Sequence, residues 1–367
     1  METKRILVVG QTPPPYGGQA IMINNMLSRD LPGIKMFHAR MDFSSDMEEV
    51  GKFKFTKILK LAKLILTIYY YRIKYSINNL YYPPAPPNKI PMMRDIAILV
   101  SCRWMFRNTI FHFHAAGISE MHRKLKGLLR KAFERAYFHP EYAITISEYN
   151  PKDADYFRCK KEYLIPNGLS DLRTADVSRR PDTGCRVLLY VGVLTESKGI
   201  MILLHATLQL VNRGQRFTVR MVGRFESIAF EREVRTFIST HNLEHVVEFT
   251  GVLTGSDKAN AFATADIFCF PTFFEAETFG LVALEAMQFG LPVVSTSWRG
   301  VPSIVRNGIN GFTVPPRNSD MFAEKVDLLL NNRALAVEMG QAGRRIYEEE
   351  YTDEIYTSRL HQMFSRL

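Results

Sequence analysis

Short apolar runs alternate with longer stretches of helical periodicity along most of the chain. Residues 5–10 read as a buried parallel strand, and a helix follows from about Gln19 to Arg29. Residues 108–114 form a strand that ends in an Ala-Ala-Gly loop, and a helix is expected from about Ser119 to Phe138. Residues 142–147 and 163–168 read as the next strands. The pattern then restarts. Residues 186–192, 217–222, 246–251 and 266–270 are apolar runs of strand length, and a helix begins at Ile200. Val293 and Val294 open one more strand, and helices over 321–330 and 333–349 close the series. Between the halves, residues 171–184 are polar and rich in turn formers, the composition of an inter-domain linker. Strands alternating with helices in both halves predict an α/β protein with two Rossmann-like parallel-sheet domains, 1–170 and 185–350.

Ligand sites in such sheets lie at the carboxyl ends of strands. Four segments with candidate chemistry fall at such ends. Gly17 and Gly18 precede a helix, where missing side chains let a ligand approach the backbone. This is not the G-x-G-x-x-G pattern of dinucleotide enzymes. Lys198 stands beside Gly199 at a strand-to-helix turn, a place suited to clamping a diphosphate. His112 and His114 share one face of their strand by period-two alternation. A metal reading of that pair lacks a third ligand nearby, and His112 fits a core position.

The fourth segment, residues 277–292, organises the rest. Gly280 hands a loop over to a helix that stops at Gly290, with Pro292 just beyond. The helix start offers free N–H groups at Gly280, Leu281 and Val282 and a positive dipole end, which suits a phosphate. Glu277 lies just before the helix and Glu285 two turns inside it, placed to grip hydroxyls on either side of a phosphate. That layout matches a nucleotide-sugar: ribose, diphosphate, hexose.

Composition narrows the setting. A chain of 367 residues with 46% hydrophobic content holds two domains of ordinary size. Its four cysteines are scattered without a C-x-x-C pair, which argues against a zinc site or a disulfide framework and fits a reducing compartment. No secretory leader is expected, because Lys4 and Arg5 precede only a short apolar run. Residues 1–170 carry 26 Lys and Arg against 14 Asp and Glu, a net +12, whereas residues 171–367 carry 21 against 23, a net −2. The basic half faces something anionic. No nucleic-acid motif is present, which favours a membrane surface over nucleic acid. Residues 52–79 carry Lys52, Lys54, Lys57, Lys60, Lys63, Arg72 and Lys74 among apolar side chains and tyrosines. The uncharged run 64–71 is far shorter than the ~20 residues that span a bilayer. The stretch fits either a helix lying on an anionic membrane or one packed on the first sheet. A proline-rich turn follows, ahead of a helix expected over 94–103.

The gapless stretch Phe-Gly-Leu-Val-x-Leu-Glu-Ala-Met, then Gly-x-Pro-Val-Val, resembles the E-x7-E region of family 4 retaining glycosyltransferases, which have the GT-B fold. Residues 147–148 (Ser-Glu) and 165–168 (Ile-Pro-Asn-Gly) resemble further segments of that family. The resemblance covers nearly the whole chain and is strongest over 266–315. It implies two domains facing across a cleft, with residues 351–367 returning to the first domain. It implies retaining, metal-independent transfer of a hexose from a UDP- or GDP-linked sugar to a glycan, such as a lipid-linked intermediate of surface polysaccharide at the inner face of the cytoplasmic membrane. The nucleotide-sugar is a substrate, and no cofactor is implied. Glu277, His114 and Lys198 take catalytic places. Gly17, Gly18, Asn167, Lys198, Gly251, Phe279, Gly280, Leu281, Val282 and Glu285 take donor-binding places. Val193 departs from the family, which places an arginine there to share the diphosphate with the lysine. A nucleotide-sugar epimerase and a non-catalytic sugar-nucleotide-binding partner of a membrane assembly are the alternatives.

Overall fold

The structure, a computed structural model, describes residues 3–14, 17–43, 56–173 and 185–367. Lys52, Lys54 and most of the expected linker (174–184) lie outside the described residues. The chain divides into two units, Met1–Asn167 with Glu354–Leu367, and Gly168–Asp353.

The first unit is built on six parallel strands: β1 (Lys4–Gly10), β2 (Ile34–Arg40), β3 (Asn79–Tyr82), β4 (Asn108–Phe113), β5 (Tyr142–Thr145) and β6 (Lys161–Leu164). Their order is β2-β1-β3-β4-β5-β6. The connections therefore diverge between β1 and β3, the switch point of a doubly wound sheet. Leu7, Val9, Leu80, Tyr82, Phe111 and Phe113 point into one buried core.

Three local expectations are corrected. Tyr81 and Tyr82, expected to open the proline-rich turn, instead end a central strand, Asn79–Tyr82, wholly buried between β1 and β4. The helix expected over 94–103 spans Lys89–Cys102, because Asn88 caps it and Pro91 falls in the first turn, where proline is tolerated. The single helix expected over 119–138 is two, Ile118–His122 and Gly127–Tyr137. Lys126 is extended and Gly127 has φ +58°, so the backbone between them cannot stay helical.

The second unit has strands β7 (Arg186–Val191), β8 (Phe217–Val222), β9 (Val247–Gly251), β10 (Ile267–Phe270), β11 (Val293–Thr296) and β12 (Gly311–Val314). They are parallel and ordered β12-β11-β10-β7-β8-β9. The switch point lies between β7 and β10. Both strands are near-continuous apolar runs, as strands covered on both faces must be.

Candidate active site

The loops leaving β7 and β10 meet at the switch point. After β7 the chain passes through a 3-10 turn, Glu196–Lys198, into the helix Ile200–Asn212. After β10 it runs through Pro271–Gly280 into the helix Leu281–Gln288. The Phe273 N–H donates to the Ser197 carbonyl at 2.8 Å, tying the loops together. Strand β11 braces the second loop: the Ser295 hydroxyl donates to the Phe270 carbonyl at 2.5 Å, and the Thr296 hydroxyl to that of Thr272. The Trp298 indole holds the Phe274 carbonyl at 2.8 Å. A site framed this way keeps its geometry without help from a ligand.

This frame brings together Lys198 and Glu277. Nζ lies 2.6 Å from Oε2, and the side chains are 22% and 10% exposed. The Thr272 hydroxyl is 3.4 Å from the same Oε2. The Lys198 ammonium also lies 4.8 Å from the ring centre of Phe274 and 5.5 Å from that of Phe270, so aromatic faces share its charge. Beneath them the Tyr190 phenol donates to the Val193 carbonyl at 2.9 Å. Burial, then the Glu277 charge, push its pKa up from the ordinary tyrosine value. Val193 itself is an exposed valine beside this site.

At the helix start, Gly280 takes a left-handed conformation (φ +82°) and caps the helix without a side-chain bond. The first helical N–H groups, including Leu281 and Val282, have no partner within the helix and form its positive end. Both residues are partly exposed. The Phe279 ring is buried edge-on against Tyr351 at 5.7 Å, so that side chain serves the core. Glu285 is held by Lys258, Nζ to Oε1 2.6 Å. Lys258 comes from the helix Gly255–Ala263, which follows β9 and Gly251. Sequence reading missed Lys258, because a lysine on a short amphipathic helix looks like any solvated cation until the fold brings it to Glu285.

The remaining candidates belong to the first unit. Gly17 is the extended N-cap of the helix Gly18–Leu27, and a Cβ there would meet nothing within 4 Å, so packing does not demand the glycine. Asn167 is buried with its Oδ1 unpartnered among the described residues. His112 and His114 do share a face: their rings stack at 3.8 Å. The Tyr81 hydroxyl lies 2.6 Å from His112 Nδ1 and 3.3 Å from His114 Nε2. Among the described residues no group of three side chains that could hold a metal ion is found.

Burial lowers the pKa of both histidines, that of His114 to about 3. In the unfolded chain they titrate near 6.5. Both rings are therefore neutral in the folded chain, and their contribution is full above pH 6.5 and lost as pH falls below it. At pH 5 the expected loss from His114 is about 2 kcal/mol, and His112 adds to it. Urea unfolding at pH 7.5 and pH 5 measures the loss, and His112→Phe should show a smaller difference than the parent.

The topology and the two bracing loops define the GT-B class of fold. Over 99% of this chain and 100% of the other, it superposes on HepE of Anabaena, solved in complex with UDP, with a TM-score of 0.73 at 17% sequence identity. Residues 173–346 match the family described as Glycosyl transferases group 1. It is 30% identical over 179 residues to the capsular polysaccharide biosynthesis glycosyltransferase CapM of Staphylococcus aureus, covering 49% of this chain and 46% of CapM. It is 31% identical over 198 residues to the O-antigen chain mannosyltransferase C of Escherichia coli, covering 52% of this chain and 51% of that protein. The chain thus spans about half the length of these curated relatives.

Proposed function

We propose that the protein is a retaining glycosyltransferase that moves a hexose from a nucleotide-sugar to a glycan, a lipid-linked intermediate of surface polysaccharide at the inner membrane face. The observation that carries this reading is the Lys198–Glu277 pair at the switch point, beside the open helix start at Gly280. The diphosphate leaving group gains negative charge as the sugar bond breaks. Lys198 and the N–H groups of Leu281 and Val282 are placed to stabilise that charge, without a metal. Glu277 takes the sugar hydroxyls, and Glu285, oriented by Lys258, takes the ribose. No side chain serves as a covalent nucleophile. The acceptor attacks on the face the diphosphate leaves, and the departing phosphate helps remove its proton. The names of CapM and the mannosyltransferase, and the UDP held by HepE, support the donor and acceptor classes.

Thermal unfolding with UDP, GDP, ADP or NAD tests the donor. A ligand at ~100 times its dissociation constant stabilises by about 2.7 kcal/mol, an unmistakable shift. One nucleoside diphosphate alone should give it. A shift with NAD alone overturns the reading. No shift with any favours a non-catalytic role, for which the exposed Val193 in place of a cation is the specific reason. Conversion of the donor without acceptor would favour an epimerase.

A further inference from the structure

The helix Thr56–Lys74 has two apolar faces, and among the described residues one is buried in the core while the other is exposed. Leu64 and Ile68 are buried in the core of the first unit. Leu59, Leu66 and Ile73 point the other way and are 65%, 66% and 71% exposed. Their seven-residue spacing keeps them within about 20° of one another per step, so they form one straight stripe. Tyr70, one turn after Leu66, joins the stripe and is 52% exposed. Lys63 lies four residues after Leu59 and Lys74 four after Tyr70, so both flank the stripe on one side, with Lys60 beyond them. All three lysines are exposed. The helix contains no acidic residue. Lys60 approaches Asp42 at 3.5 Å, a loose, solvent-exposed pair that leaves its charge available. Arg72 is turned away, donating to the Met105 carbonyl at 2.7 Å. It ties the helix to the turn that carries Trp104, which is 70% exposed. Among the described residues no helix is long and apolar enough to cross a membrane.

We propose that this solvent-facing stripe, with its lysine flank, is a docking surface for an anionic lipid bilayer, the helix lying in the interface plane. Aliphatic side chains enter the acyl boundary, Tyr70 sits at headgroup depth, and Lys60, Lys63 and Lys74 meet anionic headgroups. A protein partner or a second copy would need acidic residues to match the lysines, and this helix offers none to a copy of itself. The surface gives a membrane-borne acceptor its place, so the inference rests on that part of the functional reading.

Sedimentation of the whole chain with vesicles tests it without turnover. Phosphatidylglycerol-rich vesicles should retain the protein, and pure phosphatidylcholine vesicles should not. Each lysine near an anionic surface contributes about fivefold to partition, so Lys60→Gln, Lys63→Gln and Lys74→Gln together should lower it at least tenfold and flatten its salt dependence. Leu66→Asp with Ile73→Asp should lower partition at every salt concentration. Unchanged thermal stability and nucleoside diphosphate binding show that the variants fold. A chain that stays in solution with anionic vesicles at physiological salt overturns the proposal. So does a concentration-dependent dimer, abolished by Leu66→Asp, in a protein that ignores vesicles. Vesicle binding without any transfer would sink the enzymatic reading and leave the docking surface standing.

Discussion

Glu277→Ala is expected to reduce sugar transfer by about a thousandfold while leaving nucleoside diphosphate binding within a few-fold of the parent. The asymmetry follows from where the charge lies. The phosphate contacts proposed above come from Lys198 and the helix N–H groups, and both survive the substitution. What disappears is the carboxylate proposed to orient the hexose, which also holds the ammonium at 2.6 Å. A thousandfold loss corresponds to about 4 kcal/mol of transition-state stabilisation, the scale seen when one preorganised polar group is removed from a water-poor site. Removing it also strips Lys198 of its partner, at a stability cost of about 2 kcal/mol. That cost is partly relieved because the lysine keeps its two aromatic neighbours and some solvent contact. Single-turnover rates and diphosphate titration on the same preparation separate the two effects. Glu277→Gln should retain the shape and still lose most of the rate, because an amide cannot balance the ammonium. If both variants turn over at the parental rate, Glu277 has no catalytic part.

Much of this arrangement was legible in the sequence, for identifiable reasons. Buried parallel strands are covered on both faces, so β7 and β10 read as plain apolar runs. Glu277, Gly280 and Glu285 lie on one loop-helix segment, so their relation is local and visible. What spacing could not supply is contact across the sheet. Lys198 is 79 residues from Glu277 and Lys258 is 27 from Glu285. The first lysine stands out by its own turn, whereas the second has no local signal. Strand β3 was lost for the opposite reason: its four residues sit against a proline-rich segment whose local signal is stronger. The two faces of the helix Thr56–Lys74 were ambiguous because both are apolar; only burial tells which one the core takes.

Gly199→Ala should cost the second unit about 4 kcal/mol, against about 1 kcal/mol for Gly214→Ala. The two glycines make a controlled comparison, because their backbones are nearly the same, φ +82° and φ +79°. A left-handed conformation costs an ordinary residue about 1–2 kcal/mol at either place. Alanine recovers roughly 0.4–1 kcal/mol by restricting the unfolded chain, again equally. The difference is space. A Cβ at Gly214 would meet nothing within 4 Å, whereas at Gly199 it would stand 2.0 Å from the Pro271 carbonyl oxygen. That neighbour is backbone and cannot rotate aside, so one of the two loops at the switch point must move. At roughly 2–4 °C per kcal/mol for a unit of this size, the unfolding midpoint should fall on the order of 10 °C for Gly199→Ala and about 3 °C for Gly214→Ala. Whichever loop moves, Lys198 on one is displaced relative to Thr272 and Glu277 on the other. Transfer measured well below the melting range should therefore drop in Gly199→Ala and stay unchanged in Gly214→Ala. Equal losses of stability in the two variants would mean that the β7 and β10 loops are not in the close contact on which the site depends.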